Sequence, residues 1–363
     1  MMRRCLELAR TAQGQTAPNP VVGAVIVQNK EIVGEGFHPK AGSPHAEIFA
    51  LRDAREYAQG ATLYVNLEPC NHYGRTPPCT ETVIAAGLRR VVVGMVDPNP
   101  KVSGGGIARL REAGIEVTIG VEAAACQELN EAFVHRIVHR SPFGILKYAM
   151  TLDGKIAATT GHSSWVTGAA SRQRVHQVRS TCDAIIVGGN TVRKDNPYLT
   201  THGVTHHNPL RVVMSRSLNL PTTANLWQTQ AAPTIVLTSL GANPDIQERL
   251  IDQGVEVVEL EPLTPSEAMK YLYDRGLSSV LWECGGTLAA RAIAEGCVQK
   301  ILAFIAPKII GGIDAPTPVG DLGLATMTQA LTLERVKWSA IDEDYLIEGY
   351  LKLSDRRVLK TVN

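Results

Sequence analysis

The stretch from Ser43 to Cys79 constrains this chain more than any other. It opens on His45-Ala46-Glu47 and closes on Pro69-Cys70-Asn71-His72-Tyr73-Gly74-Arg75-Thr76-Pro77-Pro78-Cys79. One imidazole and two thiols are the donors a zinc ion takes when a fourth position stays open for water. Any fold for the chain therefore has to bring His45, Cys70 and Cys79 together. Glu47, two residues past His45, would sit near the metal without binding it. With His72 as a fourth donor the site would instead be closed and structural, and Glu47 incidental.

Seven cysteines, at 5, 70, 79, 126, 182, 284 and 297, are scattered apart from that pair. Such thiols, behind a start that does not read as a leader, point to a reducing cytoplasm, so Cys70 and Cys79 read as ligands rather than a disulfide. No apolar run approaches bilayer length, so no membrane partner is expected. Lys and Arg number 36 against 35 acids. A nucleic-acid partner normally shows as a basic excess or patch, which argues against one here.

With 363 residues, 44% hydrophobic and 20% charged, the chain is expected to form two globular α/β domains. Val21–Val27 and Glu31–Gly36 read as a hairpin turning at Asn29-Lys30. Strands at Ala61–Leu67, Arg90–Val96 and Gly114–Ile119 then alternate with helices at His45–Ala58, Thr80–Ala86 and Ile107–Ala113. A helical segment, Val121–Arg140, ends at Ser141-Pro142, which sets the expected domains at 1–142 and 143–363. Beyond it, strands are expected at Phe143–Met150, Ala184–Gly189, Arg211–Met214, Thr234–Thr238, Val255–Leu260 and Ser279–Trp282. Asn190–Thr201 reads as a loop, Ala169–Ser180 as a helix, and Val336–Leu353 as a closing hairpin. Thr264-Pro265-Ser266-Glu267 is a capping box. Strand alternating with helix implies a mostly parallel sheet covered on its faces.

A histidine, an acid two residues on and a Pro-Cys…Cys pair form the zinc deaminase pattern, in which the acid shuttles the proton. The common pattern has two residues between its cysteines and this chain has eight. With that insert, and with Pro18-Asn19-Pro20-Val21-Val22-Gly23, Gly36-Phe37-His38 and Asp97-Pro98-Asn99-Pro100-Lys101-Val102-Ser103-Gly104, the chain resembles the bifunctional riboflavin-biosynthesis deaminase–reductases. The resemblance implies a cytidine-deaminase-like three-layer α/β/α first domain holding one zinc ion, with Glu47 as catalytic residue. It implies a diaminopyrimidinone ribosylamine phosphate as substrate, contacted by Asn19, His72, Asp97 and Asn99. Asn19 and Asn99 have an equal reading as turn residues beside proline.

The residues of the second half give only a strand-to-helix turn at Gly285-Gly286-Thr287 that could hold phosphate on backbone N–H groups. No Gly-x-Gly-x-x-Gly follows a strand, so the dinucleotide fingerprint is absent. The resemblance extends through Lys147–Ala157, Trp165-Val166-Thr167, Asp195–Thr200 and Pro307–Gly312. It implies a dihydrofolate-reductase-like α/β domain that uses NADPH to reduce the ribosyl group to ribityl. Ala149, Trp165, Thr191, Asp195, Gly285, Gly286 and Thr287 would line the cofactor. Ser163, Arg179, Leu199, His202 and Glu283 would face the ribotide, with Lys147 close by. Lys147 and Asp153 also read as a strand-end charge and a turn residue.

The chain departs from the family at His202, where arginine is usual, at Ser215, where an acid is common, and at Cys284 in place of glycine. These departures leave open a deaminase whose second domain binds ligand without reducing it. A nucleic-acid deaminase, against which the balanced charge argues, and a zinc-stapled interaction protein, which needs Glu47 to be incidental, compete with that reading. The partners expected are small-molecule pyrimidine ribotides and further copies of the chain in a homo-oligomer.

Overall fold

The computed structural model describes residues 1–73, 77–100 and 102–352. Contacts divide the chain into two units, Met1–Ser141 and Pro142–Asn363.

The first unit runs α1 (Met2–Arg10), β1 (Gly23–Gln28), β2 (Glu31–Phe37), α2 (Ala46–Ala54), β3 (Thr62–Leu67), α3 (Cys79–Ala85), β4 (Arg90–Met95), α4 (Gly105–Glu112), β5 (Glu116–Ile119), α5 (Ala123–Leu129) and α6 (Glu131–His139). Asn29 and Lys30 both take positive φ, 51° and 70°, as a two-residue hairpin turn requires. The sheet order is β2-β1-β3-β4-β5. β1 is antiparallel to both neighbours, and β3, β4 and β5 are parallel. α1 and α5 pack on one face and α2 on the other, with α3 and α4 beyond it. The result is three layers. Val25, Ile26, Leu63, Val65, Val91 and Val93 are fully buried between them.

The helical segment expected at Val121–Arg140 breaks at Asn130. There the side-chain amide accepts from Val21 N–H at 2.8 Å and donates to Val21 O at 3.0 Å. Asn66 does the same work alongside, accepting from Gly23 N–H and donating to Val21 O. Two buried amides thus stand in for a missing strand and fix Asn19–Gly23 beside the first site.

The second unit runs β6 (Phe143–Thr151), α7 (Ala169–Ser180), β7 (Ala184–Gly188), α8 (Gly189–Asp195), β8 (Leu210–Met214), β9 (Thr234–Thr238), α9 (Pro244–Asp252), β10 (Glu256–Glu259), α10 (Pro265–Asp274), β11 (Ser279–Trp282), α11 (Gly286–Ala294), β12 (Lys300–Ala306), β13 (Leu333–Ile341) and β14 (Asp344–Leu351). Its nine strands lie in the order β10-β9-β8-β7-β11-β6-β12-β14-β13. All are parallel from β10 to β12, and β14 and β13 close the sheet antiparallel. Alternate residues fill two cores: Ile186 and Trp282 pack on one face, Ile185, Val187 and Leu281 on the other. Burial on both faces is why these strands read as unbroken apolar runs.

Three elements differ from expectation. The start of the loop expected at Asn190–Thr201 is helix α8. α9, capped by Asn243 with proline at its first turn, and β12, a buried run of Lys-Ile-Leu-Ala-Phe-Ile-Ala, have no counterpart among the elements expected from sequence. β11 enters between β6 and β7, so neighbouring chain paths diverge at the carboxyl ends of those strands. Open α/β sheets take ligands at such a crevice. Among the described residues, no helix is long and apolar enough to cross a membrane.

Candidate active sites

β3 ends at Leu67, and the turn Glu68-Pro69 delivers Cys70. His45 is the N-cap of α2, and Cys79 opens α3 behind Pro78. The donor atoms of His45, Cys70 and Cys79 all lie within 4.8 Å of one another. His45 Nδ1 is 3.1 Å from Cys79 Sγ and 3.4 Å from Cys70 Sγ. The hydrogen bond from Cys79, with His45 beside it, holds the Cys70 thiol below its ordinary range, while Cys79 is pushed up. A lowered thiol favours the thiolate, the form a metal takes. The donor set fits zinc with one open position. His72 is exposed and stands outside the cluster, so no closed four-donor site is assembled among the described residues.

Glu47 lies in the first turn of α2, 3% exposed. Burial lifts its pKa to about 7, partly opposed by His45. A carboxyl poised there can both accept and return a proton at neutral pH. His38, which carries no role in the sequence pattern, is 2% exposed. Its Nδ1 lies 3.0 Å from Pro44 O, so Nδ1 carries the hydrogen. Nε2 then accepts from Asn19 Nδ2, also at 3.0 Å. Its ring meets His45 edge-on at 5.5 Å, so one imidazole positions both a ligand and Asn19.

Glu68, also without a signal in the sequence, is 3% exposed and accepts four backbone hydrogen bonds. They come from Asp97, Gly104, Gly106 and Ile107 N–H, at 2.9 to 3.2 Å. It thereby ties the Asp97–Gly106 loop and the start of α4 to the turn carrying Cys70. A Cβ on Gly106 would lie 2.1 Å from Pro69 O, so only glycine permits this approach. Asp97 is buried; burial raises its pKa, and its Oδ1 accepts from Asn99 N–H at 2.8 Å. The carbonyl of Asn99 accepts from Val102 and Ser103 N–H, so turn chemistry is present there. A cavity of about 440 Å³ beside His45 is lined by Pro44, Ile48, Leu51, Arg52, Pro77 and Thr82. Asn19, His72, Asp97 and Asn99 are not among its lining.

In the second unit a cavity of about 350 Å³ gathers Lys147, Ala149, Ser163, Trp165, Arg179, Thr191, Asp195, Leu199, Glu283 and Gly285. An adjoining one of about 460 Å³ shares Ser163, Thr191, Asp195 and Gly285 and adds Gly286, Thr287, Arg216 and Arg291. His202 lines neither; its ring stacks on His176, which lines the first. Glu283 sits at the centre. It receives Lys147 Nζ at 3.1 Å and Arg179 Nε and Nη2 at 2.6 and 3.1 Å. Burial alone would raise its pKa, but Arg179 and Lys147 outweigh it and hold the group at about 2. Ser163 donates to Asp195 at 2.7 Å. Cys284 lines the first cavity with its thiol pushed up to about 12 by burial, hence protonated. Asp153 keeps its turn reading, accepting from Thr151 and from Ile310 and Gly311 N–H.

Three supports of this cavity have no local signal. Lys308 Nζ donates to the carbonyls of Trp165 and Val166 at 2.7 and 2.9 Å, holding Trp165 at a positive φ of 64°. Asp344, at the start of β14, accepts from Gly168 N–H and Ser171 Oγ and so caps α7. Arg211 is fully buried, and its guanidinium donates to the carbonyls of Tyr198, Asn225, Gln228 and Ala232. Leu199 and His202, on the loop so anchored, take positive φ of 51° and 50°. Left-handed backbone at non-glycine residues persists only where surroundings fix it.

Comparison with known proteins gives two family matches. Residues 1–95 match the cytidine and deoxycytidylate deaminase zinc-binding region, and residues 142–347 match the RibD C-terminal domain. The riboflavin biosynthesis protein RibD of Synechocystis sp. is 63% identical over 96% of this chain and 95% of its own. That of Aquifex aeolicus is 43% identical over 95% and 96%. Among solved structures, Acinetobacter baumannii RibD superposes with a TM-score of 0.86 at 38% identity, covering 97% of this chain and 98% of its own. A diaminohydroxyphosphoribosylaminopyrimidine deaminase/5-amino-6-(5-phosphoribosylamino)uracil reductase from Thermotoga maritima gives 0.84 at 36%, covering 97% of each.

Proposed function

Because the chain belongs to the RibD family of bifunctional riboflavin-biosynthesis enzymes, we propose that its two candidate sites divide deamination and reduction between them. The protein is a zinc-dependent deaminase and an NADPH-dependent reductase. It hydrolyses the amino group of the phosphoribosyl diaminopyrimidine and then reduces the ribosyl side chain to ribityl. We assign the first step to residues 1–142 and the second to residues 143–363.

In the first site His45, Cys70 and Cys79 would hold zinc, which supplies the positive charge that makes water nucleophilic at neutral pH. Two thiolates neutralise much of that charge, so proton handling falls to Glu47. It takes the proton of the attacking water and returns it to the departing amine. Its pKa of about 7 suits both directions. Asn19, His72, Asp97 and Asn99 would bind the substrate, with His38 and Glu68 fixing Asn19 and the Asp97 loop.

In the second site NADPH supplies the hydride. Ala149, Trp165, Thr191 and Asp195 would line the cofactor, and Gly285-Gly286-Thr287 would present N–H groups at the start of α11 to its phosphates. A Cβ on Gly286 would lie 2.6 Å from Thr317 O, which keeps that turn bare. Lys147, Ser163, Arg179, Leu199 and Glu283 would face the ribotide. His202 would act through His176. Among the described residues no two cysteines form a disulfide, which suits a reducing cytoplasm, where we place the protein. The outer edge strand β13, with Trp338 69% exposed, offers a surface for the homo-oligomer we assign to it; light scattering at the mass of a single chain would refute that assembly.

The observation that carries this reading is the convergence of His45, Cys70 and Cys79 beside a buried Glu47. Its test is to follow both half-reactions on the purified chain, with its zinc content. Ammonia release without NADPH, and NADPH oxidation only with the deaminated ribotide, are expected. A zinc-loaded chain that performs neither would sink the reading, and one that only deaminates would return the second unit to a binding role.

A further inference from the structure

Among the described residues three fixed cations line the cavity of about 350 Å³: Lys147, Arg179 and Arg172. The first two are committed to Glu283, and Arg179 Nη1 also donates to Thr200 O at 3.1 Å. Arg172 is held differently. Its Nη1 donates to Thr167 O at 2.7 Å, and its guanidinium lies over the Trp165 ring at 4.2 Å. Among the described residues neither its Nε nor its Nη2 has a protein acceptor. The cavity therefore contains one cation with hydrogen-bond donors left for a ligand.

The surroundings fix that guanidinium before any ligand arrives. Lys308 holds the Trp165 and Val166 carbonyls. Asp344 caps α7 through Gly168 N–H and Ser171 Oγ, immediately before Arg172. A guanidinium laid flat on an indole keeps its planar fork of donors in place, so little freedom is lost when it binds. Arg172 and Arg179 stand seven residues apart on α7, so they share a face about 10 Å apart along the axis. A ribotide can span that separation between its sugar and the edge of its base. With the sugar at Arg179 and Glu283, the pyrimidine falls toward Arg172.

Deamination changes one edge of that ring. An amino group, which donates hydrogen bonds there, becomes a carbonyl oxygen, which accepts them. Arginine can only donate. Facing that edge, it pairs with the deaminated ring and meets the amino form donor to donor, which leaves N–H groups unmatched inside the cavity. We propose that Arg172 reads the new carbonyl of the deaminated ring, so that the second site refuses ribotide that has not passed the first. The inference rests on the reading of this cavity as the ribotide site. No bond is made or broken at Arg172, which determines specificity by hydrogen bonding alone.

The test uses the full chain carrying Glu47→Gln, in which the amino ribotide persists during the assay. It compares kcat/KM for NADPH oxidation with the amino and with the deaminated ribotide. The deaminated form should be favoured by about 100-fold or more. Adding Arg172→Gln should cut that ratio by at least about tenfold, because an amide can turn to accept as well as donate. KM for NADPH should stay as it was. An unchanged ratio overturns the proposal. So does a rise in KM for NADPH shared by both ribotides, which would put Arg172 on the cofactor. A second measurement leaves Arg172 in place and decides the matter if its variant does not fold. The reduced product, the ribitylaminouracil phosphate, should inhibit NADPH oxidation about tenfold more tightly than its amino counterpart, or better; equal inhibition overturns the proposal. If NADPH is oxidised with neither ribotide, the cavity is not the ribotide site and the proposal falls with that reading. Oxidation with the deaminated ribotide at a ratio unmoved by Arg172→Gln strikes Arg172 alone.

Discussion

Glu47 and Glu283 are both buried carboxylates, yet their neighbours drive them in opposite directions. Burial lifts Glu47 to about 7, with His45 opposing it and Cys70 adding to it, while Glu283, held by Arg179 and Lys147, stays at about 2. A carboxyl with a depressed folded pKa stabilises the fold fully above its unfolded value and loses that contribution as pH falls through the folded one. For Glu283 the window runs from about 4.3 down to 2, and the shift corresponds to roughly 3 kcal/mol. The second unit should lose about that much stability in denaturant melts across this window, and Glu283→Gln should flatten the dependence. A parent profile flat between those values would contradict the assignment. Arg211 has no acidic partner among the described residues. Burial lowers its pKa to about 10, so it remains charged at neutral pH, solvated by four carbonyls. Arg211→Met would leave those carbonyls without their donor and should cost about 3 kcal/mol in an unfolding titration; a cost under about 1 kcal/mol would show that the loop does not depend on it. The sequence marks the Glu47 site because its ligands follow a motif. It marks Arg211 only as a strand start, since its partners come from the separate segments 198–232.

At the scale of elements, what can be read is what is written locally. The Asn29-Lys30 turn, and the Thr264 cap whose hydroxyl accepts from Glu267 N–H at 3.2 Å, lie where the sequence puts them. β12 escapes notice although Gly296, at a φ of 74°, ends the helix before it, because a short apolar run such as Lys300–Ala306 does not by itself tell a strand from a helix. α8 reads as loop because no polar side chain caps it. The cap of α7 has no local trace at all, since Asp344 reaches Gly168 N–H from 176 residues away. α7 carries Arg179 and His176 toward the cavity. Asp344→Ala should therefore cost about 1–2 kcal/mol as a lost cap and raise KM for the deaminated ribotide more than it lowers kcat. Parent-like KM with the stability lost would confine Asp344 to a structural role.

Over the whole molecule, contacts divide the chain into two compact units, and one metal should serve only the first. Stripping zinc with a chelator should abolish ammonia release and leave NADPH oxidation on pre-deaminated ribotide unchanged. Loss of both activities together would place the metal under the entire fold. In the first site the sequence marks His45, Cys70, Cys79 and Glu47, which lie in one stretch, but not His38 and Glu68, whose partners come from elsewhere in the chain. The eight residues between the cysteines separate this chain from shorter deaminase patterns; of these, Gly74, Arg75 and Thr76 lie outside the described residues. The second site rests on resemblance, since its Lys147–Glu283–Arg179 group assembles from three distant elements and obeys no spacing rule. Glu47 carries the proton chemistry of the first site, and the deciding measurement is deaminase turnover with zinc content in Glu47→Gln. Zinc should remain at the parent level and deamination should fall by about 10²–10⁴-fold, with reduction intact. Zinc retained and deamination at the parent rate would contradict it.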